Sequence, residues 1–433
     1  MVDAVLVGAG LRGMVAYGLH AEAAGVRFVG VVEPVASRRD AFGDQHDIAP
    51  AQRFASVADW VAGPRLAEAA IVATPDDQHV APARAALEAG HHVLVEKPLA
   101  QTAAECLELI AVAERVGRHL HVCHVLRYTP FFRAIKEIVA SGRLGRIVTV
   151  EHRENVDARH MAHSYVRGAY RRADAANPML LAKSSHDLDL LAWILDDPVA
   201  RVASFGSLLH FRPESAGPEI PARCTDGCPI EDRCAFSAIR AYAPATPVPG
   251  PEIAVLTQLF ALEDPPSFDR DARLEALRTS PYGRCVYRCD NDVVDHQVVA
   301  MELASGTSVS FAMHGHSHRE GRTMRYDGTR ATLRAAFTDE PEITVTDHGG
   351  GIAEVVDLDA SAPYGHGGGD LGTLRAFAAS LTPGAVHEPG EGLTTDARTS
   401  LESHLVAWAA EEARRTGTVV DVAAHRAAAR GGA

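Results

Sequence analysis

Apolar and polar residues follow one another along the first 126 residues in a repeating order of strand and helix. Short apolar runs that are typical of buried strands occur at residues 2–7, 28–32, 69–73, 92–95 and 120–123. Segments rich in Ala and Leu, which predict helices, lie between them at about 14–24, 36–45, 79–89 and 103–116. Strands that alternate with helices and are apolar along their whole length predict an α/β fold with a doubly wound parallel sheet.

The pattern changes after residue 126, where strands of alternating polarity replace the fully apolar ones. Such strands are predicted at about 145–153, 298–303, 307–313 and 418–422. Helices are predicted at 131–140, 371–381 and 397–415, and a frayed tail at 427–433. Because 433 residues exceed one ordinary domain, we predict two domains, residues 1–126 and residues 127–433.

A glycine-rich turn joins the first strand to the first helix. Gly8, Gly10 and Gly13 occupy the glycine positions of the Rossmann dinucleotide fingerprint, and Glu33 closes the next apolar run. In this fingerprint the glycines permit a tight turn, the approach of a pyrophosphate and close helix packing, and the acid accepts hydrogen bonds from the adenosine ribose. We therefore predict a Rossmann domain that binds NAD rather than NADP, although the nearby Arg38 and Arg39 weaken that preference. The alternative is a purely structural turn.

Other polar residues follow the remaining strands of the first domain. Ligands of doubly wound sheets lie beyond the carboxyl ends of the strands, where Thr74-Pro75 and Glu96-Lys97-Pro98 are found. We expect the nucleotide-binding residues to lie at this edge: Gly8, Gly10, Leu11, Arg12, Gly13, Glu33, Thr74, Pro75, His79, Glu96 and Lys97.

Composition and charge narrow the range of partners. A hydrophobic fraction of 47% and a charged fraction of 23% are typical of a globular protein. The formal net charge of -14 argues against nucleic acid and against an anionic membrane as partners. The sequence shows no apolar run that could span a bilayer and no basic, apolar leader, so we expect a cytoplasmic protein with a small-molecule substrate.

The glycine fingerprint, Thr74-Pro75, Glu96-Lys97-Pro98 and a later His186 together resemble the Gfo/Idh/MocA family, which includes glucose-fructose oxidoreductase and inositol dehydrogenase. The resemblance is strong in the first domain and extends to about His210. It implies a second, α+β domain with an open, mostly antiparallel sheet, and assembly as a homodimer or homotetramer. It also implies that Lys97 contacts the substrate hydroxyl and the nicotinamide and supports hydride transfer. The alternative for Lys97 is a surface ion pair with Glu96.

The stretch Leu-Ala-Lys-Ser-Ser-His-Asp at 181–187 resembles one branch of that family. His186 has a suitable ordinary pKa to accept the proton of an alcohol. Family members usually carry a catalytic Asp four residues before this histidine, whereas this chain has Ala182 there, followed by Lys183. We expect Lys183 to take over a polar role from the missing acid. The alternative for His186 is a core histidine that is satisfied by Asp189.

Polar residues are dense between 152 and 172, in a segment that would suit a polyhydroxylated or anionic ligand. A solvated loop is the alternative. His366 belongs to a His-Gly-Gly-Gly-Asp stretch that lies over the substrate in related family members. The substrate contacts that we expect are Arg153, His163, Tyr165, Arg167, Lys183, Asp187 and His366.

A cysteine-rich insertion is predicted at about 212–290. Cys224, Cys228 and Cys234 lie in one short segment, and Cys285 and Cys289 follow later. Zinc is commonly held by four thiolates from paired loops, so we predict a structural zinc site made by the first three and Cys289, with Cys285 as the substitute. Free buried thiols are the alternative, and an iron–sulfur cluster is less favoured.

Taken with the resemblance, these features predict an NAD-dependent oxidoreductase that acts on a hydroxyl of a sugar, cyclitol or glycoside. Lys97, His186 and Lys183 are the expected catalytic residues. Two other functions stay open. One is an NAD-dependent glycoside hydrolase that works by transient oxidation and elimination with recycling of the cofactor. The other is a sensor of sugar or NAD without catalysis.

Overall fold

A parallel six-stranded sheet forms the first half of the protein. The computed structural model describes residues 1–245, 269–351, 353–358, 366–382 and 395–431. The strands of the first sheet are β1 (Val2–Val7), β2 (Val26–Val32), β3 (Arg53–Phe54), β4 (Ala69–Val72), β5 (His92–Val95) and β6 (Leu120–Val122). Their order is β3-β2-β1-β4-β5-β6 and every pair is parallel. The predicted doubly wound parallel sheet is confirmed, and the order reverses between β1 and β4, where such sheets bind ligands.

Four α-helices and several shorter turns connect these strands. The helices are α1 (Ala36–Gln45), α2 (Val57–Val61), α3 (Val80–Glu88) and α4 (Ala103–Val116). Helix α4 begins with a capping box between Thr102 and Glu105 and ends at Gly117, whose φ is +64°. The helix predicted at 14–24 is shorter than expected, because a π-helical segment over Arg12–Gly18 gives way to turns. Glycine at both 13 and 18 lowers the helix propensity of this segment.

A nine-stranded sheet forms the second half. Its strands are β7 (Ile147–Asp157), β8 (Val199–Ser207), β9 (His296–Leu303), β10 (Ser308–Ser317), β11 (Gly321–Gly328), β12 (Ala331–Phe337), β13 (Glu342–Asp347), β14 (Ala353–Val355) and β15 (Val420–Asp421). Their order is β14-β13-β12-β11-β7-β10-β9-β8-β15. Strands β7 and β10 pair in parallel and the other pairs are antiparallel. This confirms the mostly antiparallel sheet that the resemblance implied.

The second half also contains helices, some of which pack on its sheet and some on the first domain. They are α5 (Pro130–Ala140), α6 (Ala158–His160), α7 (Ala173–Ala176), α8 (Met179–Ala182), α9 (Ser185–Leu195), α10 (Ala238–Tyr242), α11 (Arg270–Thr279), α12 (Gly369–Ser380), α13 (Ala397–Thr416) and α14 (Val422–Gly431). The frayed tail predicted at 427–433 is corrected, since α14 continues to Gly431, while 432 and 433 lie outside the described residues. In the described ranges, no helix combines the length and the apolar character that a membrane crossing requires.

The long helix α13 joins the two halves of the molecule. Leu401 and Leu405 belong to the apolar core on one face of the first sheet, while Val406 and Ala410 belong to the core that includes the second sheet. The backbone N–H of Val122 also donates to the carbonyl of Thr395, at 2.9 Å, just before this helix. The end of the chain therefore packs against strands that are formed near its beginning.

Candidate active site

The glycine turn after β1 has the geometry that the fingerprint requires. Gly8 has a φ of +95°, and a Cβ there would lie 2.7 Å from the carbonyl oxygen of Ala73. A Cβ on Gly13 would clash with the carbonyl oxygen of Gly8, whereas a Cβ on Gly10 would meet no atom within 4 Å. The turn is thus closed by packing at its ends and open in its middle, which fits the approach of a dinucleotide phosphate.

Glu33 lies beside this turn at the end of β2. Its carboxylate accepts hydrogen bonds from the backbone N–H groups of Ala9, at 2.8 Å, and Val35, at 3.0 Å. Arg39 donates to the carbonyl oxygen of Glu33 at 2.7 Å, so its guanidinium faces the backbone. The placement of Glu33 fits an acid that would accept hydrogen bonds from an adenosine ribose.

Arg12 connects the glycine turn to two distant parts of the chain. Its Nε lies 2.5 Å from Glu96 and its Nη2 lies 2.8 Å from Asp370. Tyr17 also donates to Glu96, at 2.6 Å. Although burial raises the pKa of Glu96, Arg12 and Tyr17 outweigh that effect and the pKa is lowered. The predicted cofactor residues Arg12 and Glu96 therefore neutralise each other, while the neighbouring Leu11 is exposed.

His79 fastens the segment after β4 to the segment after β5. The ring is fully buried, with Nε2 2.9 Å from the carbonyl oxygen of Thr74 and Nδ1 2.7 Å from that of Pro98. Pro75 lies at the exposed start of the same segment. Both ring nitrogens of His79 face backbone carbonyl oxygens, so neither is left for the predicted contact with the cofactor. His79 instead holds two segments of the site together.

Lys97 lies two residues beyond the end of β5, at the carboxyl edge of the sheet. Its Nζ donates to the carbonyl oxygen of Ala182 at 2.6 Å, so it reaches across to the second domain. Burial lowers the pKa of Lys97, while the charges of Asp76 and Glu96 oppose that effect. The alternative of a surface ion pair between Lys97 and Glu96 is corrected, because Lys97 Nζ contacts Ala182 and the Glu96 carboxylate accepts from Arg12 and Tyr17.

His186, in the first turn of α9, faces the same site as Lys97. Burial and the charge of Lys97 lower the pKa of His186 well below its usual value, so the ring is neutral near pH 7. Its ring centroid lies 6.1 Å from that of His366, and its Nδ1 has no described hydrogen-bond partner. Asp189 is not available to it, because both oxygens of that carboxylate accept from Arg127 at 2.6 Å. The alternative of a histidine satisfied by Asp189 is therefore wrong.

Lys183 is a fixed positive charge in the same region. Its Nζ lies 2.7 Å from Glu320 and 3.5 Å from Glu154. Burial would lower the pKa of Lys183, but these carboxyl groups outweigh it and the pKa is raised. Family members usually carry an Asp at the position of Ala182, and Lys183 places a cation next to that position. A cation cannot accept a proton as an ionised Asp would, so Lys183 does not replace the chemistry of that acid.

Asp187 lies beneath the site in a buried ion-pair network. It accepts hydrogen bonds at 2.8 Å from His152 Nε2 and from Arg322 Nε, and Arg322 also donates to Glu154 at 2.7 Å. Asp187 is fully buried. This corrects the expectation of a substrate contact, because the carboxylate is already satisfied by protein groups.

The structure separates the other expected substrate contacts. Arg153 points to the outer face of the sheet, because side chains alternate along β7 and His152 and Glu154 take the buried face. His163 stacks on Tyr282 with ring centroids 4.8 Å apart. These two expectations are corrected, because neither side chain reaches the site.

Arg167 is also corrected from a substrate contact to a structural role. Its buried guanidinium donates to the carbonyl oxygens of Arg284, at 2.7 Å, and Phe236, at 2.6 Å. It thereby holds the cysteine-rich insertion against the second domain. Hydrogen bonds from a guanidinium satisfy backbone carbonyls that would otherwise be buried without a partner.

Tyr165 and His366 do lie at the site. Burial raises the pKa of the Tyr165 hydroxyl, with further contributions from the charges of Glu154 and Asp76. His366 Nδ1 lies 3.0 Å from Asp370, and its half-exposed ring neighbours that of His186. His366 therefore lies next to His186, and Tyr165 lies within reach of the charges of Glu154 and Asp76.

Four thiols line one small cavity in the insertion. Cys224, Cys228, Cys234 and Cys285 surround it, whereas the Cys289 thiol lies outside and donates to the Cys285 carbonyl at 3.3 Å. Burial raises the pKa of Cys285 to about 11, which favours the neutral thiol. Within the described ranges, no three His, Cys, Asp or Glu side chains are arranged to hold a metal ion. The structure therefore gives the predicted zinc site no support, and of the two candidates for its fourth ligand it is Cys285, the substitute, that lines the cavity.

Three residues of the site were missed by the sequence analysis. Asp76 and Asn177 lie beside Lys97, with Asn177 Nδ2 3.2 Å from Asp76, and Glu320 pairs with Lys183. Asp76 follows Thr74-Pro75 after the end of a strand, so its position was a signal from which it could have been predicted as a site residue. Asn177 and Glu320 carry no such signal, because their partners lie far away along the sequence.

Two histidines lie directly behind the Lys97 segment. His404, from α13, accepts a hydrogen bond at 2.9 Å from the backbone N–H of Leu99. His124 has no described hydrogen-bond partner at either ring nitrogen. Burial lowers the pKa of His404 to about 4 and that of His124 to about 3.

Comparisons with known proteins agree with this description. Residues 2–124 match the model described as oxidoreductase family, NAD-binding Rossmann fold, and residues 132–237 match the GFO/IDH/MocA C-terminal domain. The putative oxidoreductase YteT of Bacillus subtilis is 26% identical over 63% of this chain and 60% of its own length. Inositol 2-dehydrogenase 1 of Saccharopolyspora erythraea is 35% identical over 31% of this chain and 37% of its own length. The match therefore spans less than two thirds of each relative.

A solved structure extends the comparison to the whole fold. An oxidoreductase from Agrobacterium radiobacter, solved with NAD+, L-tartaric acid and magnesium, superimposes with a TM-score of 0.69. The two chains are 15% identical, and the alignment covers 98% of this chain and 99% of the other. At that identity the likeness establishes the shared fold.

The buried histidines make the stability of the protein sensitive to acid. An unfolded histidine binds a proton near pH ~6.5, whereas native His124 and His404 do so only at lower pH, so acid favours unfolding. Each should lower the free energy of unfolding by about 1.4 kcal/mol per pH unit below ~6.5, until its native pKa is reached. Urea denaturation of wild type and His124→Phe between pH 7.5 and 4.5 should give a shallower dependence for the variant. Substitution of the exposed His318 by Phe serves as the control, and equal slopes in all three proteins would contradict the prediction.

Proposed function

Because the chain belongs to the Gfo/Idh/MocA family of NAD-binding oxidoreductases, we propose that it transfers a hydride between nicotinamide and a hydroxyl-bearing carbon of a sugar, cyclitol or glycoside. One observation carries the proposal. The ammonium of Lys97 donates to the carbonyl oxygen of Ala182, four residues before His186, and its charge lowers the pKa of the His186 imidazole. These are the groups that alcohol oxidation requires, because the hydroxyl must lose a proton as its carbon loses hydride.

Each group has a separate part in the proposed reaction. NAD, when it is bound, supplies the hydride acceptor. Lys97, which donates to the Ala182 carbonyl in the described structure, would donate to the substrate oxygen and stabilise its developing negative charge. The neutral His186 has an unshared ring nitrogen and would accept the hydroxyl proton. Lys183 stays charged, and its ion pair with Glu320 largely cancels its field.

Replacement of Lys97 tests the catalytic assignment. Lys97→Met keeps the length of the side chain and removes its charge, so we expect turnover to fall by about 10²–10⁴-fold. The rate is followed by the absorbance of NADH with a panel of sugars and cyclitols. Lys136→Met is the matched control, because Lys136 donates to the Trp193 carbonyl and lies outside the site. Full turnover by Lys97→Met would refute the assignment.

The same assay separates the other functions. Release of an aglycone from a glycoside without accumulation of NADH would favour redox-neutral cleavage over net oxidation. Tight binding of nucleotide and sugar without either reaction would favour a sensor.

We also propose that Glu33 selects NAD over NADP. Its carboxylate lies next to the turn and would repel a 2′-phosphate. Glu33→Gln keeps an acceptor for the Ala9 N–H. It should weaken NADH binding about tenfold and reduce the difference in affinity between NADH and NADPH. Calorimetric titration with both nucleotides measures this. Glu68→Gln, on an exposed acid at the opposite edge of the sheet, should change neither affinity. Unaltered NADH affinity in Glu33→Gln would count against the ribose contact.

A homodimer or homotetramer is the assembly that we propose, formed through the outer face of the second sheet. Phe205 and Val298 are 73% and 44% exposed and pair across β8 and β9. The paired row continues through Ala312 to Arg153, so the corrected position of Arg153 also lies on this face. Exposed apolar side chains that are rimmed by polar residues are typical of interaction surfaces.

Phe205→Asp should weaken this assembly, because it places a charge within an apolar contact. Light scattering after gel filtration should show a smaller particle than wild type. Leu19→Asp, on an equally exposed apolar residue of the first domain, should keep the wild-type mass. Equal masses for wild type and Phe205→Asp would exclude this face as the interface.

A further inference from the structure

We propose that Asp76, held in place by Asn177, is a positioning residue that keeps Lys97 protonated and directed towards the substrate space. The consequence for catalysis rests on the proposed function, whereas the effect on the charge of Lys97 does not.

The sheet topology brings Asp76 and Lys97 to the same edge. Strands β4 and β5 are parallel neighbours in which Val72 pairs with Val95. Asp76 begins a short 3-10 turn after β4, and Lys97 lies two residues beyond the end of β5. Asp76 is 5% exposed, although the next residue, Asp77, points into solvent. A carboxylate that is withdrawn from water in this way needs partners within the protein.

Asn177 provides one of these partners under conformational strain. Its Nδ2 donates to Asp76 at 3.2 Å, and the residue is 1% exposed. Its φ of +80° lies in the region that favours glycine. A side chain with a Cβ keeps such a backbone only where the surroundings determine it, and these positions concentrate at functional sites. The strained residue thus aims its amide at Asp76.

The segment that carries Asn177 also holds Lys97. Helix α8 follows it and ends at Ala182, whose carbonyl oxygen accepts from Lys97 Nζ at 2.6 Å. One short stretch of the second domain therefore contacts Asp76 at its beginning and Lys97 at its end. Ala182 has no polar side chain, so the carboxylate beside Lys97 comes from the first domain.

His79 supports the same arrangement from below. Its two ring nitrogens face the carbonyl oxygens of Thr74 and Pro98, and carbonyl oxygens only accept hydrogen bonds. Burial raises the pKa of Asp76, on the same segment, and the charge of Lys97 opposes that effect. His79 therefore pins the segment after β4 to the one after β5.

Several charged groups face Lys97, and Asp76 is the strongest of those that favour its ammonium form. Burial lowers the pKa of Lys97, Asp76 and then Glu96 oppose this, and Lys183 and Arg12 add to it. Glu96 is already engaged by Arg12 and Tyr17, whereas the described hydrogen-bond partner of Asp76 is a neutral amide. The rings of His186, His124 and His404 also border Lys97, and they are kept neutral by burial.

The charge of Asp76 also acts on a tyrosine, Tyr170. Asp76 is the largest cause of the raised pKa of the Tyr170 hydroxyl, ahead of burial. Tyr170 packs on Tyr165, with ring centroids 5.6 Å apart. The Asp76 charge therefore acts on Tyr170 as well as on Lys97.

Competitive labelling of lysines with acetic anhydride tests the proposal without any substrate. The pH dependence of Lys97 acetylation, followed by mass spectrometry, reports the fraction of free amine. In Asp76→Asn we expect the midpoint to move to lower pH by about one pH unit relative to wild type, because an opposing charge is lost. Asp77→Asn removes the same charge one residue away and should leave the midpoint in place. Asp76→Glu should restore the wild-type midpoint.

An unchanged midpoint in folded Asp76→Asn would overturn the proposal. If Asp76→Asn does not fold, Asn177→Gly carries the test, because glycine accepts the same φ and removes the amide. We expect a smaller shift of the midpoint in the same direction, and no shift would likewise overturn the proposal.

The catalytic consequence has its own measurement. In Asp76→Asn the basic limb of the kcat profile should move to lower pH by the same amount, while KM near neutral pH changes little. If wild type is inactive on sugars and cyclitols but the labelling midpoint of Asp76→Asn is shifted, the proposed function alone is refuted. Active wild type with no labelling shift in Asp76→Asn would refute the role of Asp76 alone.

Discussion

The site depends on keeping two ammonium groups charged while both are removed from water. A buried cation is costly unless opposite charges and hydrogen bonds replace its hydration. Lys183 meets this requirement through Glu320, and its pKa is raised. Lys97 meets it less completely, through a backbone carbonyl and the field of Asp76, and its pKa is lowered. The protein thus separates an ammonium that is held in its charged form from one whose charged form is less favoured.

This separation is maintained by a rigid set of ion pairs beneath the site. Arg322 bridges Asp187 and Glu154, and His152 completes the hydrogen bonds of Asp187. These groups belong to β7, β11 and α9, so they fix a helix against the second sheet. Buried pairs of this kind contribute little net stability but are intolerant of displacement, since a shift would leave a charge without its partner. The positions of His186 and Lys183 follow from that rigidity.

Much of the fold was predictable because its signals are local. The apolar runs of the first six strands and the glycine turn each depend on neighbouring residues, and the structure confirms the parallel sheet. The candidate site was predicted less completely. Arg153 was misassigned because a single step along a strand reverses the face of a side chain. Arg167 looked like a ligand-binding arginine, yet its partners are carbonyls more than sixty residues away.

Asp76 was missed for a related reason. The groups around it are Lys97, which follows the neighbouring strand, and the amide of Asn177 from the second domain. Contacts between such distant residues leave no periodic pattern in the sequence. Conversely, the positions of Lys97 and Glu33 were predictable because each follows a strand of the doubly wound sheet, at the edge where such sheets bind ligands.

The long helix α13 carries a consequence for how this architecture could be divided or recombined. It contributes Leu401 and Leu405 to the first core, and its His404 accepts from the backbone just beyond the Lys97–Pro98 peptide. The core of the first half is therefore completed by residues that lie nearly three hundred positions later in the sequence. A chimera that exchanged only the amino-terminal half between relatives would inherit a mismatched closing helix, so the natural module for transplantation consists of two separate pieces of the chain.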